Sequence, residues 1–455
     1  MTKKKTVFYQ MFLPAFCLLF YVFLFFLDGV KLSADSLSYV DFSYSREPLY
    51  PLFLTFFRRL FGINLYLNIV VFVQCLLWAF AMYRLTMELK NKIHCNFFTT
   101  YLIAFFQVVV VLLCRLVATR RATYCNEICS EALAIPLFTL LLTELFAYTT
   151  DRKNSHLIGS MILAALLIST RKQMYMVVLI MGALYFFLCV ACKINVKKML
   201  LAWGSVILAF LLSVGLDVLY NYSLWGTAMR HTSDSSAMVI TLFYSSGRED
   251  AQYFEDEDLR KLFTEIMTEA EEKGYTYKAA EGNWLSRYNH YSDHYDLLAF
   301  GIVNPSFYAY IDKNFSYEKE ERELAFDDIN SAMISALMSH RLFKVLQVAG
   351  DNMLVGLCNT VSKAHPLLVW YNVLFGAVYI GLLVVMGKQK KQTAFWFAFL
   401  VLLSTLINVA VVGVLIFAQT RYMIYNMPFV YIAMYLMLRE MYGILRDRRK
   451  RREHA

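Results

Sequence analysis

Long apolar runs separated by short polar segments occupy most of the chain. A helix of ~20 mostly apolar residues is needed to cross the ~30 Å hydrocarbon core of a bilayer. Runs of that kind lie near residues 7–27, 63–85, 97–115, 130–149, 157–170, 174–192, 199–219, 367–386, 394–417 and 423–442. The pattern predicts an all-α polytopic membrane protein with about ten transmembrane helices. One interval breaks it. From about 221 to 340 no run is long enough to span, and the segment starting at Phe254 carries Leu259, Leu262, Phe263, Ile266 and Met267 at three-to-four spacing, which predicts an amphipathic surface helix. Residues 324–362 read as further amphipathic or interfacial helices. The expected organisation is a transmembrane module over 1–220, with a first outside loop at 28–62. A mostly helical insertion follows over 221–362, between spans seven and eight, and the last three spans with a basic tail occupy 363–455.

The loops give the orientation. Lys3, Lys4 and Lys5 precede the first run, Lys90 and Lys92 follow the second, and Arg152 and Lys153 the fourth. Lys193, Lys197 and Lys198 follow the sixth, Lys388, Lys390 and Lys391 the eighth, and Arg446 to Arg452 the last. Every second loop is basic, so both termini are expected in the cytoplasm of a cell membrane, bacterial by the absence of an organelle signal, and the insertion outside. The first run is too long for a signal-peptide core and has no small-residue cleavage site, so it reads as a retained span.

Composition agrees: 59% of the 455 residues are hydrophobic, only 17% are charged, and the mean hydropathy is +0.48. A soluble domain of this length needs more charge to cover its surface. Residues 221–340 hold 21 Asp and Glu against 10 Lys and Arg, a net charge of −11, whereas the rest of the chain holds 14 acidic and 34 basic residues.

Several charges violate the orientation rule. The loops expected outside contain Arg46, Arg58 and Arg59, then Arg115, Arg120 and Arg121, then Arg171 and Lys172, and finally Arg421. Charges near membrane depth are costly and mark either a function or an ion pair. A guanidinium fork suits phosphate and carboxylate, so four loops offering arginine could converge on an anionic ligand. Lipid phosphates or structural ion pairs are the plainer reading for any single one. Acids share these loops: Asp28, Asp35, Asp41 and Glu47 in the first, and Glu127 and Glu131, four apart as one helical turn at the start of span four. A carboxylate beside basic groups suits a general base near a phosphate leaving group. Capping of a short interfacial helix by Asp35 or Asp41 is the alternative.

Other patterns carry less. Cys189 and Cys192 form a lone CxxC, and Cys125 and Cys129 a second close pair, without the further ligands of a zinc site. His290, Asp293, His294 and Asp296 have metal-ligand spacing on a helix, amid aromatics that suggest a packed patch. Tyr288, Tyr291, Tyr295, Tyr308 and Tyr310 suit sugar stacking or, more simply, core packing. The basic tail follows a span directly and reads as an orientation signal on anionic lipid, not as a nucleic-acid site. Internal repeats, paired broken helices and a Gly-rich phosphate loop are not evident, which speaks against a transporter.

Several segments together resemble a known family. Ala34-Asp35-Ser36-Leu37-Ser38-Tyr39 follows the first span, then Arg46-Glu47-Pro48-Leu49-Tyr50-Pro51-Leu52-Phe53-Leu54, a Leu60-Phe61-Gly62 stop, and a second span containing Gln74. Glu127 and Glu131, Arg171 after span five, Gln419-Thr420-Arg421-Tyr422 before the last span and Pro428 after it add to the likeness. The chain is similar here to the GT-C glycosyltransferases, polytopic enzymes using lipid-phosphate-linked sugars, in their protein mannosyltransferase-like and aminoarabinose transferase-like branches. The likeness covers roughly residues 1–200 and, weakly, 365–445. The first loop departs from it in lacking the adjacent acidic pair of several branches.

The resemblance implies inverting sugar transfer outside the membrane. Asp35 would be the base, and Arg121, Arg171, Lys172 and Arg421 would hold the donor phosphate. Asp41, Arg46, Glu127, Glu131 and Tyr422 would support them. It implies a polyprenyl-phosphate sugar donor, a glycan, lipid or protein acceptor and the bilayer as partners. It names no certain cofactor and leaves a divalent metal open. The competing expectations are a polysaccharide polymerase or ligase acting on a lipid-pyrophosphate glycan, and a lipid-glycan flippase.

Overall fold

The computed structural model describes residues 3–117, 121–192, 195–389 and 392–453, and apart from one short strand pair its regular structure is helical. Arg120, Lys193, Lys390 and Lys391 lie outside the described residues, as do the side chains of Lys3 to Lys5, Cys192 and Arg452. In chain order the helices are α1 (Lys3–Asp28), α2 (Ser36–Val40), α3 (Leu49–Ile93), α4 (Phe97–Val117), α5 (Glu131–Asp151), α6 (Asn154–Ile168), α7 (Met176–Cys192) and α8 (Val196–Trp225). They continue as α9 (Ser236–Ser245), α10 (Glu257–Glu272), α11 (Trp284–Leu298), α12 (Asn304–Asn314), α13 (Lys319–Val361), α14 (Val369–Lys388), α15 (Gln392–Leu415), α16 (Thr420–Met423) and α17 (Met427–Glu453). Strands β1 (Lys31–Leu32) and β2 (Glu127–Ile128) pair in parallel, Lys31 opposite Glu127.

Seven helices among the described residues are long and apolar enough to cross a membrane: α3, α4, α5, α7, α8, α14 and α15. The other three runs expected to span are also helical. The first lies in the 26-residue α1, whose apolar part among the fully described residues is Phe12–Asp28. α6 has 15 residues, about 22 Å at the α-helical rise. α17 carries Arg439 and Glu440, 3.6 Å apart, inside its apolar stretch.

The chain divides into two compact units. The first comprises residues 1–220, 373–405 and 424–455. α5 is its most enclosed helix, with nearly every residue buried. Pro136 sits inside α5 and has no N–H to give the carbonyl of Ala132, four residues back. In hydrocarbon that carbonyl has no water to turn to. The indole Nε1 of Trp78, on α3, donates to it at 2.8 Å. At the other end of α3, His94 adopts a left-handed conformation (φ 51°), and Arg439 donates to the carbonyls of Ile93 and His94 at 3.3 and 3.5 Å. An ionic cluster ties α3, α5 and α6 there: Glu144 meets Arg84 at 3.5 Å and His156 at 2.7 Å, and Asp151 meets Lys92.

The second unit comprises residues 221–372 and 406–423. α10 starts on an Asp256 cap, whose carboxylate accepts from the N–H groups of Asp258 and Leu259 at 2.8 and 2.9 Å. It buries Leu262, Phe263, Ile266 and Met267, the face expected from spacing. Residues 324–362 are not several helices: they belong to one 43-residue helix, α13. Its C-terminal half lies on the end of α15, where Gly413 and Gly356 leave no room for a side chain without displacing Met353 or Val409. Asn352 donates to the carbonyl of Gly413 at 3.1 Å, and Asn359 to that of Ala418 at 2.8 Å. These amides satisfy carbonyls that the end of α15 leaves open. Tyr288, Tyr291 and Tyr295 are buried in the core of this unit with Phe243, Phe263 and Phe307, so they pack and do not form a stacking surface.

Removing the Trp78 donor should expose the defect made by Pro136. Trp78→Phe is expected to destabilise the protein by about 1–2 kcal/mol, the range of a lost interhelical hydrogen bond plus an unmet carbonyl. Thermal unfolding in detergent checks this; a midpoint equal to wild type would mean the indole bond contributes nothing.

Candidate functional site

The loop at 28–62, expected outside, is built around serines and one tyrosine. Asp35 stands at the N-cap position of α2, yet its side chain makes no capping bond. The turn is closed by Ser36 instead, whose Oγ accepts from the N–H of Ser33 at 2.6 Å and donates to the carbonyl of Ile128 at 2.7 Å. This leaves the Asp35 carboxylate to Arg46, whose Nη2 reaches Oδ1 at 2.9 Å. Arg46 is placed by three further contacts. Its Nε donates to Ser38 Oγ at 2.8 Å, its Nη1 to the Tyr39 hydroxyl at 3.3 Å, and its guanidinium carbon lies 4.5 Å from the centre of the Tyr39 ring.

Tyr39 joins this loop to the start of α5. Its hydroxyl donates to Ser130 Oγ at 2.8 Å, and its buried ring meets Tyr50 edge-on at 5.1 Å. Burial pushes the Tyr39 phenol up to about 12, against the opposing pull of Arg46, so the hydroxyl stays protonated as a donor. The next residue after Ser130 is Glu131, fully buried, whose carboxylate pairs with Arg171. Arg46, Glu131, Arg171 and Glu47 all act on the Tyr39 hydroxyl electrostatically. Two acid–arginine pairs, Asp35–Arg46 and Glu131–Arg171, are thus bridged by Tyr39 and Ser130.

The loop between α4 and α5 is irregular and needs partners for its backbone. A buried amide of α3 supplies two of them. Gln74 of α3, fully buried, donates to the carbonyls of Cys125 and Glu127 at 3.0 and 3.2 Å and accepts from the Tyr50 hydroxyl at 2.9 Å. Asn126 donates to the carbonyls of Leu24 and Gly29 at 3.1 and 3.0 Å. Leu49 N–H, at the start of α3, donates to the carbonyl of Ser169 at 2.8 Å, which brings in the loop carrying Arg171 and Lys172. Past Phe61, α3 is broken at Gly62, whose φ of 70° is in the left-handed region, so Leu49–Phe61 is set off as a separate amphipathic helix. Arg58 and Arg59 are exposed on it.

The other expected site residues are less central. Asp41 is exposed at the C-terminal end of α2. Arg121 is exposed and left-handed, φ 51°, in the α4–α5 loop. Lys172 starts a short 3-10 turn directly after Arg171. Glu127 and Glu131 do not share a helical turn: α5 begins at Glu131, and Glu127 lies in strand β2, opposite Lys31. Arg421 and Tyr422, in α16, belong to the second unit, where the Tyr422 carbonyl accepts from Asn408 at 2.9 Å. Arg115 is taken up structurally, in a bidentate pair with the buried Asp28 at 2.9–3.1 Å.

The residues considered for metal binding do not fit one. His290 Nδ1 meets the Tyr244 hydroxyl at 3.0 Å and Nε2 the Gly274 carbonyl at 3.1 Å, so both ring nitrogens are engaged. Burial, with His294 adjoining, pushes the His290 pKa down, which keeps the ring neutral. His294 Nδ1 bonds the carbonyl of His290 at 2.7 Å. Cys125, Cys129 and Cys189 are free thiols, and no group of three or more His, Cys, Asp or Glu among the described residues could hold a metal ion.

Tyr39, Ser130 and Asn126 were missed by reasoning from charge, because a neutral hydroxyl or amide breaks no composition rule. The serine spacing in residues 33–45 was the available signal.

The Glu131–Arg171 pair yields a direct test. Arg171→Met should strand a buried carboxylate and destabilise the fold by about 3–5 kcal/mol, and adding Glu131→Gln should recover much of the loss. Unfolding midpoints of the two single variants and the double variant measure the coupling; an Arg171→Met protein as stable as wild type would show that the pair is not structural. Compared with known proteins, the sequence matches no protein-family model and no curated protein.

Proposed function

We propose that this chain is a membrane glycosyltransferase that moves a sugar from a polyprenyl-phosphate donor to an acceptor hydroxyl outside the cytoplasm, with inversion. The observation that carries the reading is the state of Asp35. Its carboxylate is one-third exposed, is not spent on capping α2, and is oriented by an arginine that is itself held by Ser38 and Tyr39. That is the placement a general base requires: accessible, directed and beside a polar cluster. In the reaction Asp35 takes the acceptor's proton as the acceptor oxygen forms a bond to the anomeric carbon. The bond from that carbon to the phosphate oxygen breaks, and the electron pair leaves with the polyprenyl phosphate.

Tyr21, Trp78, Met82, Gln107, Val110 and Pro136 line a small, mostly apolar recess of about 40 Å³ among α1, α3, α4 and α5 of the first unit, room for a water or two and not for a prenyl chain. Of the cations expected to hold the leaving phosphate, Arg121 is exposed in this unit, whereas Arg171 already meets Glu131. Ten spans, cytoplasmic termini and an extracytoplasmic insertion complete the reading, and the alternate basic loops and the −11 charge of 221–340 favour that arrangement.

Asp35→Asn tests it. Transfer from a radiolabelled polyprenyl-phosphate sugar, measured in proteoliposomes, is expected to fall by about 10²–10⁴-fold, the usual contribution of a general base. Donor affinity should change little. Unimpaired transfer would remove Asp35 from the chemistry, and transfer only from a lipid-pyrophosphate glycan would favour a polymerase or ligase.

A further inference from the structure

The buried acids of the outer loops have arginine partners, with one exception. Asp28 is held by Arg115 and Glu131 by Arg171, while the part-exposed Asp35 is held by Arg46. Glu47 follows Arg46 directly and precedes Pro48, the residue from which α3 starts. It is only 4% exposed. Its Oε1 is sealed from solvent and has no hydrogen-bond partner among the described residues. A carboxylate oxygen taken out of water without a hydrogen-bond partner is costly to a fold. Exposed acids such as Asp41 need no such explanation, since water serves them.

The location narrows the explanation. Glu47 is close enough to Tyr39 and Arg46 to act on both, so it belongs to the same cluster as Asp35. A carboxylate only accepts hydrogen bonds. It repels phosphate and attracts a hydroxyl or an ammonium group. The cluster therefore has a corner unsuited to the donor's phosphate and suited to the polar edge of a saccharide.

We propose that Glu47 is a sugar-binding carboxylate, completed by a hydrogen-bond donor, hydroxyl or ammonium, on the saccharide that the Asp35 site handles. The proposal rests on the glycosyltransferase reading for the identity of its ligand. It predicts that the unpartnered Oε1 weakens the unliganded protein and strengthens the liganded one. Glu47→Gln keeps the volume and removes the charge. Glu47→Asp keeps the charge and shortens the reach by one methylene.

The full-length protein in nanodiscs gives the test, through unfolding midpoints without ligand and affinities for three probes. The probes are decaprenyl phosphate, decaprenyl-phosphate hexose and decaprenyl-phosphate aminohexose. Glu47→Gln should raise the unliganded midpoint by several degrees, whereas Glu47→Asp should not. It should leave the bare lipid phosphate binding as in wild type and weaken a sugar-bearing probe by about ten- to hundred-fold. A larger loss for the hexose identifies a hydroxyl, and a larger loss for the aminohexose an ammonium. A lowered or unchanged unliganded midpoint in Glu47→Gln, equal losses for bare and sugar-bearing lipid, or no loss at all would overturn the assignment. Wild-type protein that binds the sugar-bearing probes no better than the bare lipid would do the same. Failure of the parent reading looks different: Glu47-dependent sugar binding would persist while the wild-type protein transferred no sugar from the donor.

Discussion

The loop cluster around Tyr39 in the first unit depends on one amide in an apolar helix. Gln74 lies in α3 and is fully buried, and its two ends hold two segments at once: the carbonyls of Cys125 and Glu127 from the α4–α5 loop, and the hydroxyl of Tyr50 from the first turn of α3. Irregular backbone near membrane depth is tolerated only where protein satisfies its polar groups. Gln74 does this for the carbonyls of Cys125 and Glu127, and Asn126, from within that stretch, for those of Leu24 and Gly29. Once that stretch is fixed, Ser130 stands where the Tyr39 hydroxyl reaches it, and Glu131 where Arg171 reaches it. The acid–arginine pairs are therefore consequences of the amide scaffold as much as of charge attraction.

The arginines outside, anomalous when counted along the chain, look different once paired. Arg46, Arg115 and Arg171 each meet an acid of the same loops. Much of the excess positive charge is balanced locally, which limits what is left to attract an anion. The charges that differ from this pattern are more telling than the average: Asp35, accessible though paired, and Glu47, buried.

Periodicity carried the architecture well. Each of the ten apolar runs is a helix or lies largely within one, and the buried face of α10 follows the spacing of Leu262, Phe263, Ile266 and Met267. Hydrophobic period reports burial, and burial is what shapes a helix face. It could not report lengths or breaks. The single helix α13 looked like several because its exposed and buried faces change along its length. Glu127 seemed one turn from Glu131 because spacing alone does not reveal that the backbone between them is extended. The candidate site was legible in its charged members, Asp35, Arg46, Glu131 and Arg171, and not in the neutral ones that place them. Which acid pairs with which arginine depends on loop conformation, and no pattern in the chain encodes it directly.

The bond between Trp78 and the Ala132 carbonyl has a meaning beyond stability. Trp78 answers a vacancy made by Pro136, so the two positions, 58 apart in the chain, form one inherited unit. A lineage that replaces the proline restores the helical bond and releases the tryptophan to drift. One that loses the tryptophan first carries an unmet carbonyl until the proline goes too. Among descendants of this sequence the two residues should therefore vanish in a set order, proline before tryptophan, and their joint presence would mark the ancestral arrangement.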